Sequence, residues 1–575
     1  MEVDEALEFT KPLGCTQVLV TVVSCLAQIQ IAILALSTVF IAEVIPHHCI
    51  VSELDYPVQP NNSSPASIVY DRYLDSSEET FRVSDAACYV YENGTQLCTE
   101  WEFDTDFIGK TIVTEWDLVC ARDILPDLSQ SIMVIGFAVG SLLAGPLADK
   151  CGRRPTLLLG SIVYLIIGLL VSFSPNYVVY VCLRSLLGAV MFVVKIPSLT
   201  LQTEYIVPRY RSAVASLPLC ASAISLMMLS LLAYFVRDWR YFSAAITLPG
   251  LLIVCISWFL PESVRWLIAQ GQVEEAERVI QKIAKFNKVK QFPSPVFDVV
   301  NQPTKSAQID SSSLQYARLS SVTKDTDGQT PAPAGRAKLF RELFGRPTWK
   351  VTLILSWNWA TYSITYFGFA LSTGTLAGTI YLNFFLISLV DLPARTISIF
   401  IVARIGSLKL IMFSYLSSAL AMIGIIGLYF ISDDDTINPW IMTSLALLGK
   451  FLISLSPTAM NLLISEQFPT NVRNSGRGFV EIIGNIGILV VPLLLYMGKY
   501  IPNVAFMTMS FCAVVGAGLC LFLPETLHTT QPDTAADLQL LFDTKRIIRF
   551  GKRRRRRKSE SEGCQELYET VEMSA

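Results

Sequence analysis

The sequence is poor in the residues on which most enzyme chemistry depends. Its 575 residues include only three histidines, at positions 47, 48 and 528, and only 16% charged residues. None of the histidines falls within a long apolar run, so there is little material for histidine-based metal or acid–base sites. The chain also lacks a G-x4-G-K-[S/T] phosphate loop, which disfavours an ATP-driven pump. These absences argue against an enzyme and against a metal or cofactor centre.

Long hydrophobic runs, by contrast, are abundant. Hydrophobic residues make up 52% of the chain and the mean hydropathy is +0.47, far from the composition of a soluble domain. Runs near or above the ~20 residues that cross a bilayer predict twelve transmembrane helices, hence an all-α membrane protein. The runs lie at about 17–42, 126–147, 156–174, 177–199, 212–235, 241–260, 350–371, 377–402, 409–431, 439–459, 478–497 and 503–523. The first lacks the basic flank and cleavage site of a signal peptide, so we count it as a span.

The charge of the loops predicts the orientation. Residues 43–124 carry four Lys or Arg against sixteen Asp or Glu, whereas the short link KCGRR at 150–154 and the run KRRRRRK at 552–558 are basic. The positive-inside rule therefore places both termini in the cytoplasm. The acidic loop also holds three glycosylation sequons, which function only on the outer or lumenal side. They begin at Asn61, Asn62 and Asn93.

The same loop carries four of the thirteen cysteines. They are Cys49, Cys88, Cys98 and Cys120. Disulfides persist on the outer side of a membrane, so we expect two bridges, for which four cysteines allow three pairings. The other nine cysteines show no CxxC pair of a zinc site. We expect them to be free thiols that pack as small apolar groups.

Three motifs recur in the two halves of the chain. FLPE closes the sixth predicted span at 259–262 and the twelfth at 522–525. An E-x6-R pattern with a proline between its charges follows span four, at 204–211, and span ten, at 466–473. The loops LADKCGRR, after span two, and IVARIGSL, after span eight, form a third, degenerate pair. These echoes predict two pseudo-symmetric six-helix halves with a central site between them, as in secondary carriers.

The segments outside the spans differ in composition. The predicted order is an N-terminal half at 1–260 with its outer loop at 43–124, a cytoplasmic loop at 261–349, a C-terminal half at 350–523 and a cytoplasmic tail at 524–575. Residues 262–288 predict amphipathic helices on the membrane surface, and 289–338, rich in Ser, Thr, Pro, Gln and Asp, predict a flexible linker. We expect the basic run of the tail to meet anionic inner-leaflet lipid, with a trafficking signal as the alternative and no nucleic-acid partner.

Several of these motifs resemble those of one family. GPLADKCGRR at 145–154 resembles the signature loop of the major facilitator superfamily, in which a helix-end carboxylate can hold and release arginines. PHHC, TIVTEWDLVC, DWR, PESVRWL and EQFPTNVRNSG together resemble the organic cation, anion and zwitterion transporter family of solute carriers. The resemblance covers about residues 8–527. It implies a polyspecific plasma-membrane transporter that moves small organic ions by alternating access, with an exchange anion or coupling ion as a further partner.

Charged residues near the inner ends of the spans form the predicted gate. They are Asp149, Arg153, Glu204, Arg209, Arg211, Glu466 and Arg473, with Lys450 in span ten as a further gating partner. The loop IVARIGSL lacks the aspartate and arginines of its counterpart. Such drift leaves open an alternative from another class, a transport-inactive receptor or regulatory protein.

Two cations at matching depths suggest the charge of the substrate. Lys195 lies nine residues before Glu204, and Arg395 lies nine before Arg404, which puts each roughly 13 Å from the inner surface. A charged side chain is costly inside a membrane span, so a charged residue there is a candidate functional residue by default. If both face the central cavity, the site is positive and selects organic anions. Asp391 stands one helical turn before Arg395 and could instead neutralise it.

Span eleven departs from the family pattern. Where the family's cation carriers have an acid and many of its anion and carnitine carriers have an arginine, this chain has Asn485. Glu481 shares a helical face with Asn485 and Arg477, so it either pairs with Arg477 or points inward to bind an ammonium group. A zwitterion transporter of carnitine type and an organic cation transporter therefore stay open as alternatives.

Aromatic residues of span seven complete the predicted pocket. They are Trp357, Tyr362, Tyr366 and Phe367. Flat rings can hold diverse organic ions by stacking and can hold cations over their π faces. The pair at 366–367 resembles the aromatic residues that line the cavity of this family.

Overall fold

The computed structural model describes residues 3–49, 88–105, 109–289, 343–372, 378–431, 439–469, 472–498 and 500–524 apart from 12, 92–94, 99 and 347, together with 538, 539 and 542. The three sequons, the predicted linker beyond residue 289 and the basic run at 552–558 lie outside the described residues, as do the side chains of Cys49, Arg211 and Arg473.

The N-terminal half begins with a short helix and then builds six membrane-crossing segments. Its helices are α1 (Val3–Phe9), α2 (Cys15–Leu36), α3 (Thr38–Ile41), α4 (Ile112–Trp116), α5 (Leu125–Cys151), α6 (Arg153–Ser172), α7 (Tyr177–Tyr205), α8 (Pro208–Phe235), α9 (Trp239–Thr247) and α10 (Gly250–Phe259). Helices α2 and α3 form one segment broken at Ser37, and α9 and α10 form another.

The C-terminal half follows two short helices that connect it to the N-terminal half. These are α11 (Val264–Ala269) and α12 (Val273–Phe286), and the half itself contains α13 (Thr348–Leu371), α14 (Ile380–Ile405), α15 (Ser407–Ile431), α16 (Pro439–Ile453), α17 (Ser456–Gln467), α18 (Arg473–Met497) and α19 (Val504–Cys520). Helices α16 and α17 share one segment. Each half thus supplies six helical segments, as the repeated motifs predict.

The hydropathy of these segments fits a membrane. Within the described residues, ten are long and apolar enough to cross one. Helix α19 is apolar but has only 17 residues, and α13 has 24 residues with many polar and aromatic side chains that lower its hydropathy. The twelve predicted spans all correspond to helices.

Each half has its own hydrophobic core. One buried cluster is built on the N-terminal helices and another on the C-terminal helices. The first extends across to the C-terminal half through a few residues, among them Tyr381, Phe384 and Ile488. We call the side that carries residues 43–124 the outer side. Tyr381 and Phe384 lie near the outer end of α14, so the cores meet on that side.

The outer ends of the two halves are closed against each other. Phe40 stacks on Tyr381 with ring centroids 5.6 Å apart, and the Ser230 hydroxyl donates to the Tyr381 carbonyl at 2.6 Å. The Tyr496 hydroxyl donates to Asp123 at 3.2 Å. These contacts join α3, α8 and the segment before α5 to α14 and α18. The structure is therefore an outer-closed state.

A small outer subdomain rests on the N-terminal half. Strand β1 (His47–Cys49) pairs antiparallel with β4 (Trp101–Phe103), and β2 (Tyr89–Tyr91) pairs with β3 (Thr95–Leu97). Cys88 and Cys120 form a disulfide, and Cys98 is also disulfide-bonded. His47 lies beside the Cys88–Cys120 bridge, but the bridged sulfurs offer no thiolate to a metal.

One carboxylate fixes this subdomain to the spans. Glu115 of α4 accepts hydrogen bonds from Trp239 Nε1 at 2.7 Å and from the Arg240 guanidinium. Arg240 also donates to the carbonyl groups of Ser172 and Ser174 at the end of α6. Burial tends to raise the pKa of Glu115, but the hydrogen bonds from Arg240 and Trp239 lower it overall. The WDLVC and DWR motifs therefore meet in space.

The connecting helices α11 and α12 differ from the expectation of an apolar surface that faces the membrane. Ala276, Val279, Ile280 and Ile283 are buried within the protein. Asn287, after α12, donates to the Thr10 carbonyl at 2.7 Å and accepts from the Thr16 backbone N–H at 3.1 Å. The apolar face packs against the chain itself because α1 and the start of α2 cover it.

Candidate substrate site and inner charge network

The C-terminal half buries one carboxylate beside two cations. Asp391 of α14 is 0% exposed, Arg395 is 4% exposed and Lys450 of α16 is 1% exposed. Asp391 Oδ2 lies 3.7 Å from Arg395 Nη2 and 3.9 Å from Lys450 Nζ. Asp391 Oδ2 also accepts the Tyr366 hydroxyl at 2.6 Å, and Oδ1 accepts the Ser454 hydroxyl at 2.5 Å. We call these five residues the central cluster.

Arg395 connects the central cluster to the N-terminal half. Its Nη1 donates to the Leu219 carbonyl and, at 2.5 Å, to the Ser222 hydroxyl of α8. Its Nη2 donates to the Tyr366 hydroxyl at 2.9 Å, whereas its Nε has no hydrogen-bond partner. The sequence predicts that Arg395 faces the central cavity. In the outer-closed state it is instead buried in a contact between halves, because α8 presents acceptors to it.

The stretch of α8 that receives Arg395 contains a proline. Pro218 cannot donate a backbone hydrogen bond, which leaves the Val214 carbonyl without its helical partner. Gln202 Nε2 of α7 donates to that carbonyl at 3.0 Å. Helix α8 is thereby held against α7 immediately before Leu219 and Ser222.

Lys450 covers the ring of Tyr366. Its Nζ lies 3.0 Å from the ring centroid and donates to the Tyr366 carbonyl at 3.1 Å. A cation in this position occupies the π face that a cationic ligand would need. The predicted gating partner is therefore a member of the central cluster.

A second charged group lies across the interface. Arg477 Nε of α18 is 3.6 Å from Glu481 Oε1, and Arg477 Nη2 donates to Asn461 Oδ1 at 2.9 Å. Lys195 of α7 lies 4.8 Å from the ring centroid of Phe192 and interacts electrostatically with Glu481 and Arg477. Of the two readings of Glu481, the structure shows the pairing with Arg477. We call Lys195, Arg477 and Glu481 the inner group.

The aromatic residues are only partly brought together. Tyr362 and Tyr366 have ring centroids 5.4 Å apart, as do Tyr366 and Phe367. Trp357 is 38% exposed, on the same stripe of α13 as exposed Leu353. Trp359, which sequence reasoning missed, takes the place beside Tyr362 at 5.6 Å.

Asn485 lies on α18, one helical turn after Glu481. It is buried, and its side-chain nitrogen has no hydrogen-bond partner in the described structure. The neighbouring residue Gly484 makes room for Trp359, since a Cβ there would lie 2.1 Å from Trp359 Cδ1. The missing side chain at position 484 is the sequence signal that could have pointed to Trp359.

The inner ends of the N-terminal half hold a network of ion pairs. Arg153 Nη2 lies 3.0 Å from Asp149 Oδ1, and Arg153 Nε lies 3.6 Å from Glu204 Oε1. Asp149 is 73% exposed in its side chain. Arg209 is exposed and lies over the Tyr210 ring instead. Asp149, Arg153 and Glu204, three of the predicted gate residues whose side chains are described, are thus in direct contact.

The repeated PE dipeptide has a structural role in this network. Glu262 accepts backbone hydrogen bonds from Arg153 and Arg154 at the start of α6 and from Ser263. Gly152 precedes α6 with φ +98°, a conformation suited to glycine. Burial raises the pKa of Glu262, although the backbone donors act in the opposite direction. The PESVRWL motif therefore caps the helix that follows the signature loop.

The C-terminal half keeps the geometry of this turn without its charges. Gly406, between α14 and α15, has φ +93°. The residue that follows is Ser407 where the N-terminal half has Arg153. Gln467 Nε2 donates to the Pro524 carbonyl at 2.7 Å, just as the Tyr205 hydroxyl donates to the Glu262 carbonyl at 2.7 Å. The repeats thus share the backbone geometry of this turn, while Ala403 and Ser407 stand where the N-terminal half has Asp149 and Arg153.

Comparisons with known proteins agree with this architecture. A family described as "Sugar (and other) transporter" matches residues 70–535. Solute carrier family 22 member 13 of Homo sapiens is 31% identical over 508 residues, covering 86% of this chain and 85% of that protein. Organic cation/carnitine transporter 2 of Rattus norvegicus is 31% identical over 515 residues, 87% of each chain. Solute carrier family 22 member 6-A of Xenopus laevis is 28% identical over 557 residues, 94% of each.

Solved structures match the fold. The proton:xylose symporter XylE gives a TM-score of 0.56 at 17% identity, covering 92% of this chain and 99% of that chain. XylE from E. coli in an inward open conformation gives 0.55 at 16% identity, covering 91% and 98%. These are transporters of the major facilitator superfamily, not enzymes. With its two six-helix halves and the sequence relatives above, the chain belongs to the organic cation, anion and carnitine transporters of solute carrier family 22, within the major facilitator superfamily.

Proposed function

We propose that this chain is a polyspecific plasma-membrane transporter that moves small organic anions by alternating access. Its termini would lie in the cytoplasm, and its cycle would use an exchange anion or a coupling ion. The proposal rests on the charges of the central cluster and of the inner group. The central cluster and the inner group each contain two cations and one carboxylate.

The surplus positive charge needs a partner. A buried ion pair is stable only when its charges are matched and hydrogen-bonded, and an extra buried cation is costly. When Lys450 is protonated, Asp391 cannot neutralise both Arg395 and Lys450. A substrate carboxylate or sulfonate that enters from the inner side would supply the missing negative charge, and Arg395 Nε, which has no hydrogen-bond partner, can donate to it.

The groups that could hold a cation are already occupied. Lys450 covers the face of Tyr366, and Glu481 is paired with Arg477. A substrate ammonium group would therefore have to displace a cation of the chain itself. This favours an anion over a cation at both places.

A zwitterion is the second candidate. Relatives at 31% identity include organic cation/carnitine transporters, and a carnitine-like molecule has a carboxylate that could meet Arg395. Its ammonium group would need Glu481 or an aromatic face such as that of the half-buried Tyr362. The zwitterion hypothesis therefore uses the same cations, and where Glu481 binds the ammonium group it also requires that the Glu481–Arg477 ion pair be broken.

The test is uptake by cells that express the chain at their surface. Matched panels of labelled organic anions, cations and zwitterions should show preference for anions. Arg395→Gln should reduce anion uptake at least about tenfold, the factor that corresponds to 1.4 kcal/mol. Arg404→Gln is the matched control, since Arg404 lies on the same helix and is exposed.

Each other result has a defined meaning. Preference for cations or zwitterions in the unsubstituted protein would overturn the anion assignment. Equal loss of every substrate in Arg395→Gln would assign Arg395 to folding or gating. Absence of uptake of any panel member, with surface expression confirmed, would favour a receptor or regulatory protein.

A further inference from the structure

The N-terminal half contains a buried arginine without a carboxylate partner in the described structure. Arg184 of α7 is 2% exposed. Its Nη2 donates to the hydroxyls of Ser37 at 3.0 Å and Thr38 at 2.5 Å, its Nη1 donates to the Tyr180 hydroxyl, and its Nε lies 3.3 Å from Met133 Sδ. All of these are neutral acceptors, so the guanidinium charge is solvated but not neutralised.

Such a charge is unstable without compensation. An isolated cation costs several kcal/mol to bury even when its donors are satisfied. Guanidinium stays protonated in proteins, so Arg184 cannot escape the cost by losing its proton. The ion pairs of the described residues place carboxylates beside Arg153, Arg240, Arg278, Arg395 and Arg477, but none beside Arg184. A counter-anion is the remaining way to balance it.

A small, partly open space adjoins Arg184. The centre of a water-sized sphere can move through about 10 Å³ there, which is near the minimum for a single occupant. The lining includes Arg184, Ser37, Thr247 and Ser243. The Ser243 hydroxyl is buried and has no hydrogen-bond partner. The space therefore offers a cation and an unused donor to one atom-sized species, and it excludes a carboxylate.

The position of this cavity connects it to the outer closure. Arg184 binds Ser37 and Thr38, where the first span breaks between α2 and α3. Phe40 lies two residues further on and stacks on Tyr381 of the opposite half. Whatever neutralises Arg184 thus acts on the short helix that contributes Phe40 to the outer contact.

We propose that the cavity between Arg184 and Ser243 binds a small monovalent inorganic anion of the size of chloride. The bound ion neutralises the guanidinium, accepts the Ser243 hydroxyl and stabilises the break in the first span. Anion occupancy then favours the outer-closed state, a consequence that rests on the alternating access of the proposed function. The binding step itself does not depend on which organic ion is carried.

The test measures binding in the absence of any organic substrate. Purified full-length protein is unfolded by heat in sodium chloride and in sodium gluconate at equal ionic strength, because gluconate is too large for the cavity. Ligand binding to the folded state raises Tm with ligand concentration. We expect Tm to rise with chloride and to saturate, and we expect the gluconate series to be flat. Equal Tm in the two salts would overturn the proposal and leave only water in the cavity.

Variants locate the site. Ser243→Ala retains the charge and should raise the chloride concentration for half-maximal stabilisation by at least about fivefold, since hydrogen bonds to charged groups are among the stronger ones. Ser257→Ala is the matched control, because Ser257 is also buried on the same span with an unpartnered hydroxyl but does not line the cavity. Arg184→Gln should abolish the chloride effect. If Ser243→Ala and Ser257→Ala respond alike, the anion binds elsewhere and this assignment fails.

The result is separable from the transport proposal. A chloride effect on Tm together with cation-selective uptake would retain the anion site and reject the organic anion assignment. Anion-selective uptake with no chloride effect would do the reverse.

Discussion

At the scale of single residues, one charge decides the character of the central cluster. Asp391 accepts hydrogen bonds from Tyr366 and Ser454 and lies within 4 Å of both cations, at 3.7 Å from Arg395 and 3.9 Å from Lys450. The cluster is positive only because Lys450 is present beside Arg395. Removing Lys450 also uncovers the face of Tyr366.

Lys450→Met tests this directly. Methionine has a similar length and no charge, so the cluster becomes neutral and the Tyr366 ring becomes available to a ligand cation. We expect anion uptake to fall by about tenfold, the factor for 1.4 kcal/mol, and organic cations to become better competitors. The measurement is inhibition of labelled anion uptake by a panel of cations and anions.

The control for this substitution is Lys409→Met on α15, where the lysine is exposed. It should leave both selectivity and rate unchanged. Unaltered selectivity in Lys450→Met, with normal surface expression, would show that Lys450 does not set the charge preference.

At the scale of elements, the halves are built on the same turn but stabilise it differently. Gly152 and Gly406 both adopt positive φ between consecutive helices. In the N-terminal half the start of α6 is then capped by the Glu262 carboxylate, which accepts several backbone N–H groups. A carboxylate at a helix N-terminus is favourable both as a hydrogen-bond acceptor and through the helix dipole.

Glu262→Ala should therefore destabilise the N-terminal half. The loss leaves the backbone N–H groups of Arg153 and Arg154 without their acceptor, at a cost of about 1–3 kcal/mol. We expect a lower Tm for the purified protein and a lower yield at the cell surface. Glu274→Ala is the control, since Glu274 on α12 is 90% exposed in its side chain, and a similar Tm for both variants would remove the capping role.

At the scale of the whole molecule, the outer closure depends on a few contacts between the halves. The Tyr496 hydroxyl joins α18 to Asp123, and the Phe40 ring joins α3 to α14. Alternating access requires that such contacts be weak enough to break in each cycle. Each contact therefore sets the balance between the outer-closed and outer-open states.

Tyr496→Phe should shift this balance towards the outer-open state. It removes the hydrogen bonds of this hydroxyl to Asp123 and to the Tyr500 hydroxyl, each worth roughly 0.5–1.5 kcal/mol, and keeps the ring. A cysteine introduced at Ser131, which lies beneath the closure and donates to the Leu489 carbonyl, should react several-fold faster with an impermeant thiol reagent in the Tyr496→Phe background. The matched comparison is Tyr500→Phe, which also removes the hydrogen bond between the two tyrosine hydroxyls but leaves the Tyr496–Asp123 hydrogen bond in place. Equal reactivity in both would reject the Tyr496 contact as part of the gate.

The outer closure should also respond to pH through Glu43. Burial raises the pKa of this carboxyl, just beyond α3, from 4.5 to about 7. Its folded-state pKa is raised, so its contribution to stability is fully present below about pH 4.5 and is lost as the pH rises to about 7. Arg237 and Tyr381 are the neighbouring groups in the same electrostatic environment.

We therefore expect Tm of the outer-closed protein to fall between pH 5 and pH 7.5, and we expect Glu43→Gln to flatten that part of the profile. The measurement is Tm against pH in a chloride-free buffer, which separates this effect from anion binding. A profile of Glu43→Gln that overlays the unsubstituted protein would exclude Glu43 as the group responsible.

The fold was largely predictable because local sequence patterns determine it. Apolar runs of bilayer length specify helices regardless of what they contact, and the E-x6-R and FLPE repeats point to two halves. The capping by Glu262 was not predictable from composition, since it joins residues more than a hundred positions apart. The aromatic residues of the site show what could not be predicted. Trp357 and Trp359 lie only two positions apart, and which of them packs against α18 depends on how α13 is rotated against Gly484.

The sequence by itself determined the membrane class, the number of spans and the positions of Lys195, Arg395 and Lys450, because hydropathy and charge along one helix are local properties. Only the tertiary structure decided what these charges meet. It placed Lys450 over Tyr366, set Arg395 against Ser222 of the other half, and left Arg184 among neutral hydroxyls, since such contacts depend on how helices distant in the chain rotate and pack against one another.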